Sequence, residues 1–469
     1  MENSALIEAI KSLSVWETNN FRRWLHSPAF SVRPEHARLF DYFVSCLAKK
    51  TQPDARKAAA ELGLTGDCDK KLRYEMAGLL DVLRNFLIWQ EMNAEPCQRE
   101  LYLLRAVRRR GLEKNFALAE REIEKAMGKT SEASLERYRI DFQLNQEKYE
   151  WNMRQKRGQN FPFERLSKSL NAWYAGQLMQ LACMDKAQGA VQRQERSAAM
   201  PDWTFPVLAH LPGRPHENLP AVALYHLGHE MLSHPEDLER VAVFREILKK
   251  NAAKLPPQEA KGLLMLAINH GIRRINEGDR RAIQTTLDFY LLGLESKLLQ
   301  DERGILSRYT YNNVLMSFVA LEEWDQALQF LEKYRLELAA AERENVYQYN
   351  LSIFHFRRGD YDTTLDLLRN VTFADPMYNL ESRKMLLKIY FEQNAIGPLE
   401  SLLENMLTWL RRHPEIGYHR EMYRNLARFT GRLLRIPTND KEARKRLEAK
   451  VRETPLVAER EWLLQKMKG

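Results

Sequence analysis

YNNVLMSFVALEEWDQALQFL, residues 311–331, is the stretch that decides the fold. Tyr311, Val314, Leu315 and Phe318 recur at three and four residues, the spacing of one helix face. A short turn follows, and Trp324, Ala327 and Leu331 resume the spacing on a second helix. YNLSIFHFRRGDYDTTLDLL (349–368) repeats this plan, with Leu351, Ser352 and Phe354 before Gly359-Asp360-Tyr361 and with Thr364 and Leu368 after it. RKMLLKIYFEQNAIGPLESLL (383–403) does so again through Leu386, Leu387 and Tyr390, then Ile396, Leu399 and Leu403. The second helices open at 324, 361 and 396, spacings of 37 and 35 that predict helical hairpins.

The three-and-four periodicity covers most of the chain. Leu72, Met76, Leu79, Leu80, Leu83, Phe86 and Leu87 form one stripe, with Lys71, Arg73, Glu75 and Arg84 away from it. Further helices are predicted at 34–50, 97–127 with a break at Gly111, 131–156 and 163–196, and more from 221 to 436. No comparable stretch alternates with period two, so an all-α protein is expected. The composition agrees: 44% hydrophobic and 29% charged residues can bury a core, and 20 Gly with 18 Pro in 469 residues leave few chain breaks. The exception is PDWTFPVLAHLPGRPHENLP (201–220), where five prolines forbid a regular helix. Trp203 and Phe205 mark it as a strap that packs on the helices rather than a free linker. The expected organisation is an N-terminal helical bundle (1–95), long antiparallel helices (96–200), this strap, hairpin repeats with a capping helix (221–436) and a basic helical tail (437–469).

Four cysteines, Cys46, Cys68, Cys97 and Cys183, are too dispersed for a CxxC pair and too few for a disulfide framework, which fits a reducing cytoplasm. The N-terminus lacks a basic start and apolar run, and nowhere do 18 apolar residues follow one another, so no membrane association is expected.

Catalytic and metal motifs fall short. His226, His229 and Glu230 share a helix face near His210, His216 and His234, but His234 comes one residue late for the zinc-protease spacing, and ordinary histidines are the expected reading. Gly128-Lys129-Thr130 imitates a phosphate loop, yet Ile123 stands where its first glycine belongs; a helix end followed by a cap at Thr130 or Ser131 explains it better. ARKAAAELGLTGDCDKKLRYEMAGLL (55–80) has the spacing of a DNA-reading helix pair, but Asp67 and Asp69 lie where phosphate would meet the second helix, and are read instead as caps within a bundle. No cofactor, metal or small-molecule substrate is indicated, and no enzyme is expected.

Charge is more informative. The net +9 is uneven: 0 over residues 1–100, +7 over 101–200, 0 over 201–300, −5 over 301–400 and +7 over 401–469. In HREMYRNLARFTGRLLRIP (419–437), Arg420, Arg424, Arg428, Arg432 and Arg435 fall within roughly 120° of one helix surface. Met422, Leu426, Phe429, Leu433 and Ile436 occupy the other side, which is expected to close the last repeat. A solubilising face normally mixes signs, whereas this one carries no acid after Glu421 and extends into Lys441, Arg444, Lys445 and Arg446.

The hairpin period and the Gly359-Asp360-Tyr361 turn resemble the tetratricopeptide repeat, over about residues 221–410 with a degenerate copy at Glu277-Gly278-Asp279. WETNNFRRWLHSPAF, LNAWYAGQLMQLAC and the repeats also resemble a group of helical-repeat proteins of Bacteroidota, which implies a fold but no activity. The resemblance implies a degenerate, TPR-like helical-hairpin solenoid. The functional expectation is a cytoplasmic scaffold for protein–protein interaction, with the five arginines facing an acidic partner. A nucleic-acid-associated regulatory protein is the alternative.

Overall fold

A computed structural model describes residues 4–30, 33–128, 131, 133–155, 163–192, 219–369, 376–437 and 439–468. Among them the chain is helical throughout, with 22 α-helices and no strand beyond an isolated bridge between Gln300 and Leu306. No helix among the described residues is long and apolar enough to cross a membrane. The helices form two compact units; the first ends at Leu178 and also takes Val222, and the second takes up at Met179 and again at Ala223.

The first unit opens with α1 (Ala5–Ser12), α2 (Val15–Leu25), α3 (Pro34–Ala48), α4 (Ala55–Glu61) and α5 (Cys68–Ala94) around one core. The buried Phe21 ring meets Phe40 edge-on at 4.9 Å and Phe86 at 5.2 Å. Ser14 and Glu17 form a reciprocal capping box on α2, and Asp67 caps α5 by accepting from the Lys70 amide at 3.1 Å. A second core lies among α6 (Pro96–Arg110), α7 (Glu113–Met127) and α8 (Leu135–Gln155). There Glu147 is buried and bridges Arg108 at 2.5 Å and Arg105 at 2.7 Å, while Arg108 also reaches Glu150 at 2.7 Å. Such a group is tolerated only because each buried charge is paired. Gly128 ends α7 as expected, but the cap of α8 is Ser134, accepting from the Arg137 amide at 3.0 Å, not Ser131; Thr130 lies outside the described residues. α9 (Phe163–Gln192) and α10 (Pro220–Ser233) carry residues of both units. Of the proline-rich stretch, residues 201–218 lie outside the described residues; Pro220 opens α10, where a missing N–H costs nothing.

The second unit contains α11 (Leu238–Asn251), α12 (Pro257–Asn276), α13 (Ala282–Glu295), α14 (Arg308–Ala320), α15 (Trp324–Tyr334), α16 (Arg343–Arg358) and α17 (Tyr361–Arg369). It continues through α18 (Pro376–Glu392), α19 (Ile396–Arg412), α20 (Tyr418–Leu434), α21 (Lys441–Glu453) and α22 (Arg460–Lys468). The successive pairs α12/α13, α14/α15, α16/α17 and α18/α19 are neighbours in space.

One backbone device closes all four pairs. Gly278, Glu322, Gly359 and Asn394 sit at φ 96°, 60°, 80° and 53°, in the left-handed region. The next residue then donates its N–H to the carbonyl five positions back: Asp279 to Arg274, Glu323 to Phe318 and Asp360 to His355 at 3.0 Å, and Ala395 to Tyr390 at 2.9 Å. This bond satisfies a carbonyl orphaned at the helix end. Gly111 does the same between α6 and α7, with Leu112 donating to Val107 at 3.1 Å. Seven residues before each left-handed residue stand Leu104, Gly271, Leu315, Ser352 and Leu387, all buried against neighbouring helices. At Gly271 the approach is closest: a Cβ would come within 2.0 Å of Thr286 Oγ1.

α20 is not the outermost helix, because α21 and α22 pack over it. α22 also clamps α18: Trp462 meets the Phe391 ring edge-on at 5.2 Å, its Nε1 donates to Glu392 at 3.2 Å, and Lys466 pairs with Glu392 at 2.7 Å. Before α22, Glu459 takes Lys388 at 2.8 Å and Lys384 at 3.3 Å, and Tyr423 of α20 donates to Glu381.

Two consequences can be measured. Glu322 has a Cβ in a conformation that suits glycine, so Glu322→Gly should stabilise the protein by about 1 kcal/mol in urea unfolding, whereas most exposed substitutions to glycine destabilise. Destabilisation would mean that the turn is not strained there. The second concerns His270, which is buried and accepts from the Arg273 guanidinium at Nδ1, 3.2 Å away. Burial, with Arg273 and Arg274 beside it, pushes its pKa down to about 4. The unfolded chain takes up this proton near pH 6.5, so the contribution is complete above that pH and is lost as pH falls towards 4. Going from pH 7 to pH 5 should cost about 2 kcal/mol through this residue. His270→Gln should lack that part of the loss; equal losses in both proteins would refute the assignment.

Candidate partner-binding surface

α20 is two-sided because its sequence places apolar residues on one half of the helix and arginines on the other. Tyr423, Leu426, Ala427, Phe429, Thr430 and Leu433 are buried, while Met422 and Ile436 pack at the margin of the same core. The arginines divide into two groups. Arg420 and Arg424 are partly covered, and Arg424 is engaged by Glu421 one turn earlier. A Cβ added at Gly431 would stand 3.6 Å from Leu403 of α19, an ordinary packing distance. Arg428, Arg432 and Arg435 are exposed and make no ion pair among the described residues. Arg432 lies over the Phe429 ring at 5.9 Å, and Arg435 falls just past the helix as its C-cap residue.

The five arginines predicted from spacing thus share one surface, but three of them form its free part. Sequence reasoning missed the Glu421–Arg424 pair, although its i,i+3 spacing is a signal for one; the hydrogen bond from Arg424 holds the Glu421 carboxyl below its ordinary pKa. Neighbouring segments extend the positive field. Between residues 411 and 452 there are 13 Lys and Arg against 5 Asp and Glu, including exposed Arg411, Arg412, Lys441, Lys445 and Arg446.

The other candidates offer less. Glu230 is held by Arg240, which also takes Asp237 at 2.9 Å, and burial pushes His229 below the ordinary histidine pKa. Among the described residues no group of three or more His, Cys, Asp or Glu side chains is positioned for a metal ion; His210 and His216 lie outside them. A cleft of about 590 Å³ in the first unit is lined by Arg137, Asp141, Lys148, Arg165 and Lys168. Its lysines are taken: Lys148 by Glu120 at 2.7 Å and Glu124 at 3.0 Å, Lys168 by Glu164 at 2.6 Å. Burial also pushes the Cys183 thiol up to about 12, so it is no nucleophile at neutral pH. Comparison with protein-family models, curated proteins and solved structures finds no match for this chain.

The division of the arginines has opposite consequences for stability. Arg428, Arg432 and Arg435 repel one another at i,i+4 and i,i+3, so changing all three to Gln should raise stability by about 0.5 kcal/mol. Arg424→Gln, which removes an ion pair, should lower it slightly. Thermal unfolding at low salt distinguishes the two; a triple variant less stable than the parent would show that the Arg432 contact with the Phe429 ring outweighs the repulsion.

Proposed function

We propose that this protein is a TPR-like helical-repeat scaffold that binds another protein, with the exposed arginines of α20 as contact points for an acidic partner. The observation that carries this reading is the set Arg428, Arg432 and Arg435, exposed and without an ion pair among the described residues, on a helix whose other face is buried. Unpaired like charges weaken a helix and are relieved by an opposite charge from outside. The recurring hairpin turn supports the repeat reading, since each turn sets a second helix against the first and the pairs stack in sequence. Stacked hairpins offer extended surfaces suited to recognition rather than an enclosed reaction site, so binding without catalysis is the activity proposed. The four cysteines are free and three are buried, which supports a reducing, cytoplasmic setting.

The test is affinity capture from native cells with the parent and with the Arg428→Gln/Arg432→Gln/Arg435→Gln variant, read by quantitative mass spectrometry and by the ratio of absorbance at 260 and 280 nm. Acidic proteins enriched on the parent and depleted at least fivefold on the variant are expected. Identical protein sets on both refute the surface, and nucleic acid that leaves in high salt would favour the nucleic-acid alternative.

A further inference from the structure

The three free arginines have a register. Along α20, residues 428, 432 and 435 rise by about 6 Å and then about 4.5 Å and stay within roughly 60° of one another around the axis. They therefore form a row one side chain wide and about 10.5 Å long. The aromatic residues nearest the row, Tyr423 and Phe429, are 5% and 7% exposed and face the core. Among the described residues no exposed ring lies along the row to stack on a base, as single-stranded nucleic acid uses; exposed Tyr418 stands about 15 Å before Arg428 along the axis. The net charge of +9 opposes a second copy of this chain as occupant.

From this register, and resting on the reading of α20 as a partner-binding surface, we infer that the occupant is an acidic α-helix whose carboxylates lie at i, i+4 and i+7. Such a helix repeats the same 6 Å and 4.5 Å rises, and read antiparallel an i, i+3, i+7 set does so equally. An extended acidic strand presents same-face residues every 6.6–6.8 Å or so along a straight line, and it drifts out of step by the third arginine. The i,i+4 ridge of each helix is inclined to its axis, and two such ridges align when the helices cross at about −50°. Guanidinium groups then meet carboxylates in pairs of hydrogen bonds, which a point charge cannot do.

The experiment uses the full chain and two labelled helical peptides of about 20 residues, long enough to hold a helix. Both have the same composition; one carries Glu at i and i+4 of each heptad, so that the i, i+4, i+7 set recurs along one face, and the other spreads the same Glu around the helix. Fluorescence anisotropy should show the striped peptide binding about tenfold tighter, with that advantage lost in Arg428→Gln/Arg432→Gln/Arg435→Gln. Arg→Lys at the same three positions keeps the charge and the fold, and should keep part of the affinity while losing most of the discrimination. Equal binding of the two peptides, or tighter binding of a DNA duplex of equal charge, overturns the helical partner. A row that discriminates between peptides in the parent and equally in the Gln variant overturns it too, because the register would then lie elsewhere. Failure of the peptides alongside arginine-dependent capture from cells removes the helical partner and leaves the scaffold reading standing; loss of arginine-dependent capture removes the scaffold reading itself.

Discussion

The second unit depends on one hydrogen bond made again and again, from the residue after a left-handed turn to the carbonyl five positions back. A helix cannot reverse in three residues unless one of them takes positive φ, and the chain gains in exchange a partner for a carbonyl that would otherwise face the next helix unpaired. With that bond in place, position and direction of the second helix follow, and the same register of buried side chains recurs. Leu315, Ser352 and Leu387 fill equivalent positions in three pairs, as Ala327, Thr364 and Leu399 do on the facing helices. The backbone device holds constant while the side chains that fill the interior vary in size.

This separation explains what the sequence could reveal. Helix class and hairpin period were legible, because burial of one face imposes a three-and-four spacing that survives exchange of one apolar residue for another. Gly359 disclosed its turn, since glycine is the residue that positive φ selects. Glu322 and Asn394 disclosed nothing of the kind, for there an exposed residue with a Cβ takes the same conformation beside the same backbone hydrogen bond. The arginine row was legible as a spacing, but its division into covered and free members was not. Which arginines are covered depends on how the helices packed beside α20 lie against it, and no local pattern encodes that. For the same reason α20 read as a terminal cap. The residues that cover it, Trp462 and Leu463, lie in a short helix whose own periodicity points to no particular neighbour.

Buried charge divides the molecule in a related way. In the first unit Glu147 is buried with Arg108 and also meets Arg105 at the exposed edge, and in the second the half-buried Glu459 and Glu381 lie with half-buried Lys384 and Lys388 and with Tyr423. Each set fixes a helix packing that apolar contacts alone would allow to slide, because a shifted helix would leave an ion unpaired in a poor solvent. On the surface of α20 the same rule runs in reverse, and charges left unpaired in water keep a face available.

The clamp of α22 on α18 joins residues 70 to 74 positions apart: Lys388 to Glu459 at 71, Trp462 to Glu392 at 70 and Lys466 to Glu392 at 74. The hairpins close loops of only a few residues and can form early, whereas a contact across 70 residues waits until the intervening helices have shortened the gap. Interactions made after the folding barrier is crossed leave the rate of folding nearly untouched and act almost wholly on the rate of opening. The clamp is therefore a latch in time: it sets how long the array, once assembled, holds α20 in place with its arginines turned outward.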